Sequence, residues 1–168
     1  MNILFDTNVV LDVLLDRKPF SAPASVIFSW VETGEFIGFL GATTVTTIFY
    51  LATKVEGKKQ AEKEISKLLS IFAIAPVNRA VLEAATNSKF TDFEDAVLYE
   101  SARHASAQAI VTRDAVGFKY AKIPVYSPEE LIKMTQAIKI IEKMGNGMST
   151  IDKLIQCNTR KLMGSITS

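Results

Sequence analysis

Asn2-Ile3-Leu4-Phe5-Asp6-Thr7-Asn8-Val9-Val10-Leu11-Asp12 stands first in the chain after Met1, and the reading of this stretch decides the fold. Ile3-Leu4-Phe5 is a short, unbroken apolar run, the pattern of a strand buried on both faces. Asp6-Thr7-Asn8 ends it with three residue types that favour helix caps, which predicts a helix over Val9 to Leu15. The same alternation returns along the chain. Further strands are expected over Phe36 to Ala42, Ile74 to Val77, Ala109 to Thr112 and Ile123 to Tyr126. Between them, apolar residues at helical spacing predict helices over Ala24 to Glu32 (ended by Gly34), Thr44 to Lys54, Ala61 to Phe72, Arg79 to Ser88 and Glu94 to Ala105. Pro19 and Pro23 bracket a break after the first helix. A last helix starts after Ser127 as cap, with Pro128 in its first turn.

Short apolar strands alternating with helices imply a central parallel sheet covered on both faces, a three-layer α/β/α arrangement. Ligands of such folds bind beyond the carboxyl ends of the strands. Asp6 directly follows the first strand, and Asp114 follows the Ile110-Val111-Thr112 strand after Arg113. Both acids therefore fall at the same edge of the sheet.

Composition narrows the chemistry. The 168 residues carry 19 basic and 18 acidic side chains, a formal net charge of +1, so any grip on a phosphate backbone has to be local. Cys157 is the only cysteine and His104 the only histidine. Intramolecular disulfides, cysteine zinc clusters, His-rich metal sites and most triad chemistry are thereby excluded. No apolar run approaches the roughly 18 residues of a membrane span, and the first residues lack the pattern of a signal peptide. The expected location is a reducing cytoplasm.

The acids carry the remaining signal. Asp6, Asp92, Asp95 and Asp114, with Glu94 among them, are candidates for one site. Carboxylates brought together raise one another's pKa, and such clusters commonly exist to hold a hard divalent cation such as Mg²⁺ or Mn²⁺. Singly, each has a plainer reading. Asp6 serves equally well as a helix N-cap, Asp92 and Asp95 as a cap and a first-turn acid, and Asp114 as a turn residue after a strand.

Taken together, three segments resemble the motifs of the PIN-domain family. Phe5 to Asp12 is similar to its opening motif, Asp92-Phe93-Glu94-Asp95-Ala96 to its third acidic motif, and Ile110-Val111-Thr112-Arg113-Asp114 to its fourth, in family order over residues 2 to 134. Gly38 to Tyr50 and Pro124 to Glu130 resemble a toxin-like PIN subgroup of the VapC type. This resemblance implies the PIN fold and a Mg²⁺- or Mn²⁺-dependent endoribonuclease. It also implies RNA as substrate, a small antitoxin protein as partner and, as often in the family, a homodimer. By position, Asp6, Asp95 and Asp114 match the catalytic, metal-binding acids, with Asp92 as a further metal candidate. Asn8 and Thr112 match polar positions that orient acids or water.

Two departures from the family pattern stand out. Thr47 occupies the best match to a glutamate on the helix after the second strand, where its hydroxyl could bind a metal-held water. Gly117 stands where many relatives have an acid before the residue matching Phe118. Asp92 or Glu94 could compensate. Arg113 is expected either to approach phosphate or to pair with a carboxylate. A rival reading is a PIN-fold module that binds RNA or protein with weak or no nuclease activity. Similarity of Asp6-Thr7-Asn8 to haloacid-dehalogenase phosphotransferases fails at Asn8, where those proteins need a second aspartate, and no Walker or dinucleotide phosphate loop is present.

His104 reads as a helix-end histidine, Cys157 as inert, and Trp30 with the ten phenylalanines as core. Lys54, Lys58, Lys59 and Lys63 read as a solvated face, and they form the densest local basic cluster. Domain organisation is expected as a PIN domain over residues 1–136 and a helical C-terminal extension over 137–168, with a break at Gly145-Asn146-Gly147.

Overall fold

The structure, a computed structural model, describes residues 1–144; the expected break at 145–147, the helix beyond it and Cys157 lie outside the described residues. In chain order the elements are β1 (Asn2–Phe5), α1 (Thr7–Leu14), α2 (Ser21–Glu32), β2 (Ile37–Gly41), α3 (Ala42–Glu56), α4 (Lys58–Ile71), β3 (Ala73–Ala75), α5 (Arg79–Thr86), α6 (Phe93–His104), β4 (Ala109–Val111), β5 (Val125–Tyr126) and α7 (Pro128–Met144). The strands form one sheet of order β3-β2-β1-β4-β5, and every pairing is parallel. Met1–Leu131 make up a compact unit. The expected boundary at 136/137 falls within α7, which begins in that unit and continues past its end.

Central position explains the composition of β1. With β2 on one side and β4 on the other, Ile3, Leu4 and Phe5 are each fully buried, and a strand covered on both faces tolerates no polar alternation. Phe5 meets Phe28 of α2 and Phe72 edge-on at 5.5 and 5.1 Å. Leu4 belongs instead to a cluster with Leu98, Tyr99 and Ala102 of α6, Ile110 and Phe118. Gly38 makes the aromatic packing possible, because a Cβ there would lie 2.6 Å from the Phe72 ring and 2.8 Å from Val31.

Helix boundaries follow from local chemistry. Asn78 caps α5 through the Val81 N–H. Ser127 and Glu130 form a reciprocal capping box at the start of α7: the Ser127 N–H donates to Glu130 Oε2 at 2.8 Å, and the Glu130 N–H to Ser127 Oγ at 3.2 Å. Gly57, at φ +85°, turns the chain between α3 and α4. Pro23 departs from expectation. It lies inside the first turn of α2, where its missing N–H would have had no intrahelical partner, so the break ends before it.

Candidate active site

Parallel strands deliver their carboxyl ends to one edge, and the acids gather there. Asp6 follows β1 and Thr112 follows β4; Thr47 lies on α3 after β2. Asp92 and Asp95 stand at the start of α6. Asp6, Asn8, Arg17, Thr47, Asp92, Glu94, Asp95 and Asp114 line a single cleft of about 350 Å³, together with Thr7 and Leu11.

Asp6 occupies the N-cap position of α1 but makes no capping hydrogen bond with its side chain. Its Oδ2 instead accepts 2.6 Å hydrogen bonds from Asn8 Nδ2 and from Thr112 Oγ1. Thr112, 1% exposed, uses its hydroxyl fully, since Oγ1 also accepts from Asn8 Nδ2 at 3.0 Å and from the Asp114 N–H at 2.9 Å. Asn8 Oδ1 accepts from the Arg113 N–H at 3.2 Å. One side chain from α1 and one from the end of β4 thus clamp a single carboxylate oxygen, tying two strand ends that are 106 residues apart in sequence.

Asp92 does cap a helix: its Oδ1 accepts from the Glu94 and Asp95 N–H groups at 2.7 and 3.2 Å, which commits that oxygen to α6. Burial raises Asp6 above the ordinary carboxylate range, helped by Glu94 and Asp114 and opposed by the Thr112 hydrogen bond. Asp95 is pushed from 3.8 up to about 6, first by burial and then by the charges of Asp6, Asp92, Asp114 and Glu94. Repulsion among neighbouring carboxylates is therefore built into the cleft.

Gly117 takes part in this geometry. A Cβ at that position would lie 2.5 Å from Asp95 Oδ2 and 3.1 Å from Asp114 Oδ2, so two carboxylates crowd the space that any larger residue needs. An acid at 117 would displace Asp95. Among the described residues no three carboxylates already stand at metal-coordinating separation.

Arg113 turns away from the cleft. Its Nε lies 3.0 Å from Oδ2 of Asp12, whose side chain is fully buried, and its guanidinium sits 4.3 Å over the Phe20 ring. The Asp12 carboxylate gains this ion pair without a well-aligned hydrogen bond. Burial raises its pKa despite the opposing charges of Arg113 and Arg17. Asp12 closes the opening motif but is given no role there, and Arg17 lies outside the motifs. The available signal was a charge inside the apolar run Val9 to Leu15, a position that needs a partner. His104 Nδ1 lies 2.8 Å from the Glu100 carbonyl oxygen at the end of α6, away from the cleft-lining residues.

Comparison with known proteins agrees with this architecture. The profile of the PIN domain matches residues 2–115. The chain belongs to the PIN-domain family. Ribonuclease VapC1 of Aquifex aeolicus (strain VF5) is 25% identical over 133 residues, covering 76% of this chain and 91% of that protein. Among solved structures, a chain of VapBC2 from Rickettsia felis, bound to a DNA fragment from its promoter, superposes with a TM-score of 0.57. It is 13% identical, and the match covers 76% of this chain and 98% of that one. A chain of FitAcB from Neisseria gonorrhoeae gives a TM-score of 0.54 at 20% identity, again covering 76% and 98%. These likenesses show the α/β PIN fold.

Proposed function

We propose that this PIN-domain chain is a Mg²⁺- or Mn²⁺-dependent endoribonuclease acting in the cytoplasm as the toxin of a toxin–antitoxin pair. The observation that carries the reading is the single cleft at the carboxyl edge of the sheet. There Asp6, Asp92, Asp95 and Asp114 meet, with Asp6 clamped by Asn8 and Thr112. The similarity to Ribonuclease VapC1 supports the activity, the likeness to VapBC2 supports an antitoxin as partner, and a homodimer is assigned from the family resemblance alone.

The donor set fits a hard cation. It is all oxygen, rich in carboxylate, and Arg17 is the one cation among the lining residues. Asp6, Asp95 and Asp114 are the acids assigned to hold Mg²⁺ or Mn²⁺, with Asp92 contributing through the oxygen that does not cap α6. Bound there, the metal supplies the positive charge that both the carboxylates and a phosphodiester require. Thr112 and Asn8 act as positioning residues by fixing the Asp6 carboxylate. Thr47 brings a hydroxyl to the wall of the cleft and orients water. Arg113 orients substrate only indirectly, by fixing Asn8 through its backbone and anchoring to Asp12 through its side chain.

Thr47, which brings no charge to the cleft, favours a second reading, a PIN-fold module that binds RNA or protein without cutting. An RNA cleavage assay with Mg²⁺, Mn²⁺ or EDTA separates the two. The nuclease reading expects metal-dependent cleavage that disappears in Asp6→Asn and Asp95→Asn. Wild-type protein inert in every metal would establish the module instead, and cleavage surviving both substitutions would place the site elsewhere.

A further inference from the structure

Beside the acidic cleft the protein carries a larger cavity of about 420 Å³ that the proposed chemistry leaves unused. Its wall holds Lys89, Phe90, Tyr99, Arg103, Tyr120 and Lys122. Phe90 stacks on Tyr99 with centroids 5.0 Å apart and an interplanar angle of 26°, and Tyr120, 44% exposed, meets the edge of Phe90 at 6.3 Å. Arg103 lies 5.9 Å from the Tyr99 ring. It is held at 2.8 Å by Glu100, whose side chain is 6% exposed. Lys89 and Lys122 are exposed and have no carboxylate partner among the described residues. The lone acid in the wall is already paired, so the cavity presents net positive charge over an aromatic floor.

Cleft and cavity have three segments in common, although the cleft also draws on Asp6 to Leu11, Arg17 and Thr47. Residues 87–92 give Asp92 to the cleft and Lys89 and Phe90 to the cavity. Residues 114–122 give Asp114 to the cleft and Tyr120 and Lys122 to the cavity. Helix α6 gives Asp95 to one and Tyr99 and Arg103 to the other. Asp95, Tyr99 and Arg103 are spaced four apart and share a face of the helix. Eight residues at 1.5 Å rise separate Asp95 from Arg103 by about 12 Å along the axis, and an extended strand of RNA covers that in roughly two nucleotides. A polyanion entering the acidic cleft gains nothing electrostatically from its walls, and a cationic, aromatic pocket within reach supplies both phosphate pairing and base stacking.

We infer that this cavity is a subsite for single-stranded RNA, taking a nucleotide that flanks the scissile phosphate, its base against Tyr120 and Phe90 and its phosphate on Lys89, Arg103 and Lys122. The inference rests on the nuclease reading for the RNA's course through the cleft, but RNA binding tests it independently of cleavage.

The experiment measures fluorescence anisotropy of a labelled RNA octanucleotide with wild-type full-length protein in EDTA, so that no turnover intervenes. The Lys89→Glu/Lys122→Glu double variant should weaken binding at least about tenfold and flatten the log–log salt dependence by roughly 1.4, the value expected when two phosphate contacts to a single strand are lost. Tyr120→Ala should weaken binding about tenfold with little change in that slope. Circular dichroism and thermal melting confirm that each variant is folded. The comparison variant is Lys58→Glu/Lys59→Glu, in the basic cluster at the start of α4. Pocket variants that bind like wild type, a larger loss at Lys58/Lys59, or wild-type protein that does not bind the RNA would each overturn the assignment. Protein that binds RNA through this pocket yet cuts none in any metal would keep the subsite and remove the nuclease reading. Where cleavage occurs, the pocket substitutions should act mainly on KM.

Discussion

The acidic cleft and the cationic cavity share a helix, two loops and little else. At the start of α6 the chain spends its side chains on repulsion: Asp6, Asp92, Glu94, Asp95 and Asp114 stand together with Arg17 as the cation in the wall. Near its end, Lys89, Arg103 and Lys122 surround packed aromatic rings, and the wall's acid, Glu100, is already paired to Arg103. The cleft is thus poised for a cation and the cavity for an anion. What the contrast teaches is a division of labour in which one end of α6 is suited to chemistry and the other to retention. Substitutions on the two sides should therefore fail differently.

The largest expected effect separates them most cleanly. Asp6→Asn keeps the size of the side chain but removes a charge the proposed metal site needs, and cleavage should fall by more than the roughly 10- to 100-fold typical of outer-shell partners. RNA affinity in EDTA should hold or improve, since a negative charge has gone. Steady-state rates beside anisotropy read both. A variant that loses binding and retains kcat would dissolve the distinction between the two regions.

Arg113→Met tests the ground beneath the cleft. It would leave the fully buried Asp12 carboxylate without its ion-pair partner, a change that typically costs about 3–5 kcal/mol. Urea unfolding should show the loss, and the accompanying Asp12→Leu/Arg113→Met double substitution should recover much of it. No recovery would mean that Arg113 stabilises through Phe20 rather than through Asp12. Thr112→Val is the next smaller effect. It removes the hydroxyl that holds Asp6 Oδ2 and accepts the Asp114 N–H while nearly preserving shape. Activity should drop roughly 10- to 100-fold, with Thr112→Ser restoring most of it; equal losses in Val and Ser would point to packing instead.

How much of this was legible in the sequence depends on whether the determinant was local. The β1 strand was, because three consecutive apolar residues flanked by Asp6 have few other uses. Placement of Asp6 and Asp114 at one edge followed from parallel connectivity alone. Residue order did not reveal what Asp6 bonds. An aspartate before a helix looks the same whether it caps that helix or, as here, accepts from Thr112 across the sheet. Pro23 misled for the same reason, since a proline in a first turn and a proline that breaks a helix differ only in where the helix begins. Gly117 read as a missing acid until the positions of Asp95 and Asp114 showed that any side chain there must push the Asp95 carboxylate aside. The Asp12–Arg113 pair and the cationic cavity join residues from distant segments, and neither has a spacing to betray it.

The smallest effect is electrostatic and concerns the cleft without its cation. Asp95 has its pKa raised from 3.8 to about 6, by burial and by its carboxylate neighbours. Its protonated form is thus favoured by folding. The stabilising contribution is complete below pH 3.8 and drains away as pH rises through 6. Asp95→Asn is permanently neutral and should escape that loss. In EDTA its Tm should exceed wild type by roughly 2–4 °C at pH 7.5, kept small because solvent screens a partly exposed group, and the two proteins should converge near pH 4. Added Mg²⁺ should reverse the order by stabilising wild type alone. The cavity substitutions supply the contrast: Lys89→Glu/Lys122→Glu leaves this pH dependence intact. Were it instead to shift the Asp95 profile, the two ends of α6 would be electrostatically coupled and the division of labour between them incomplete.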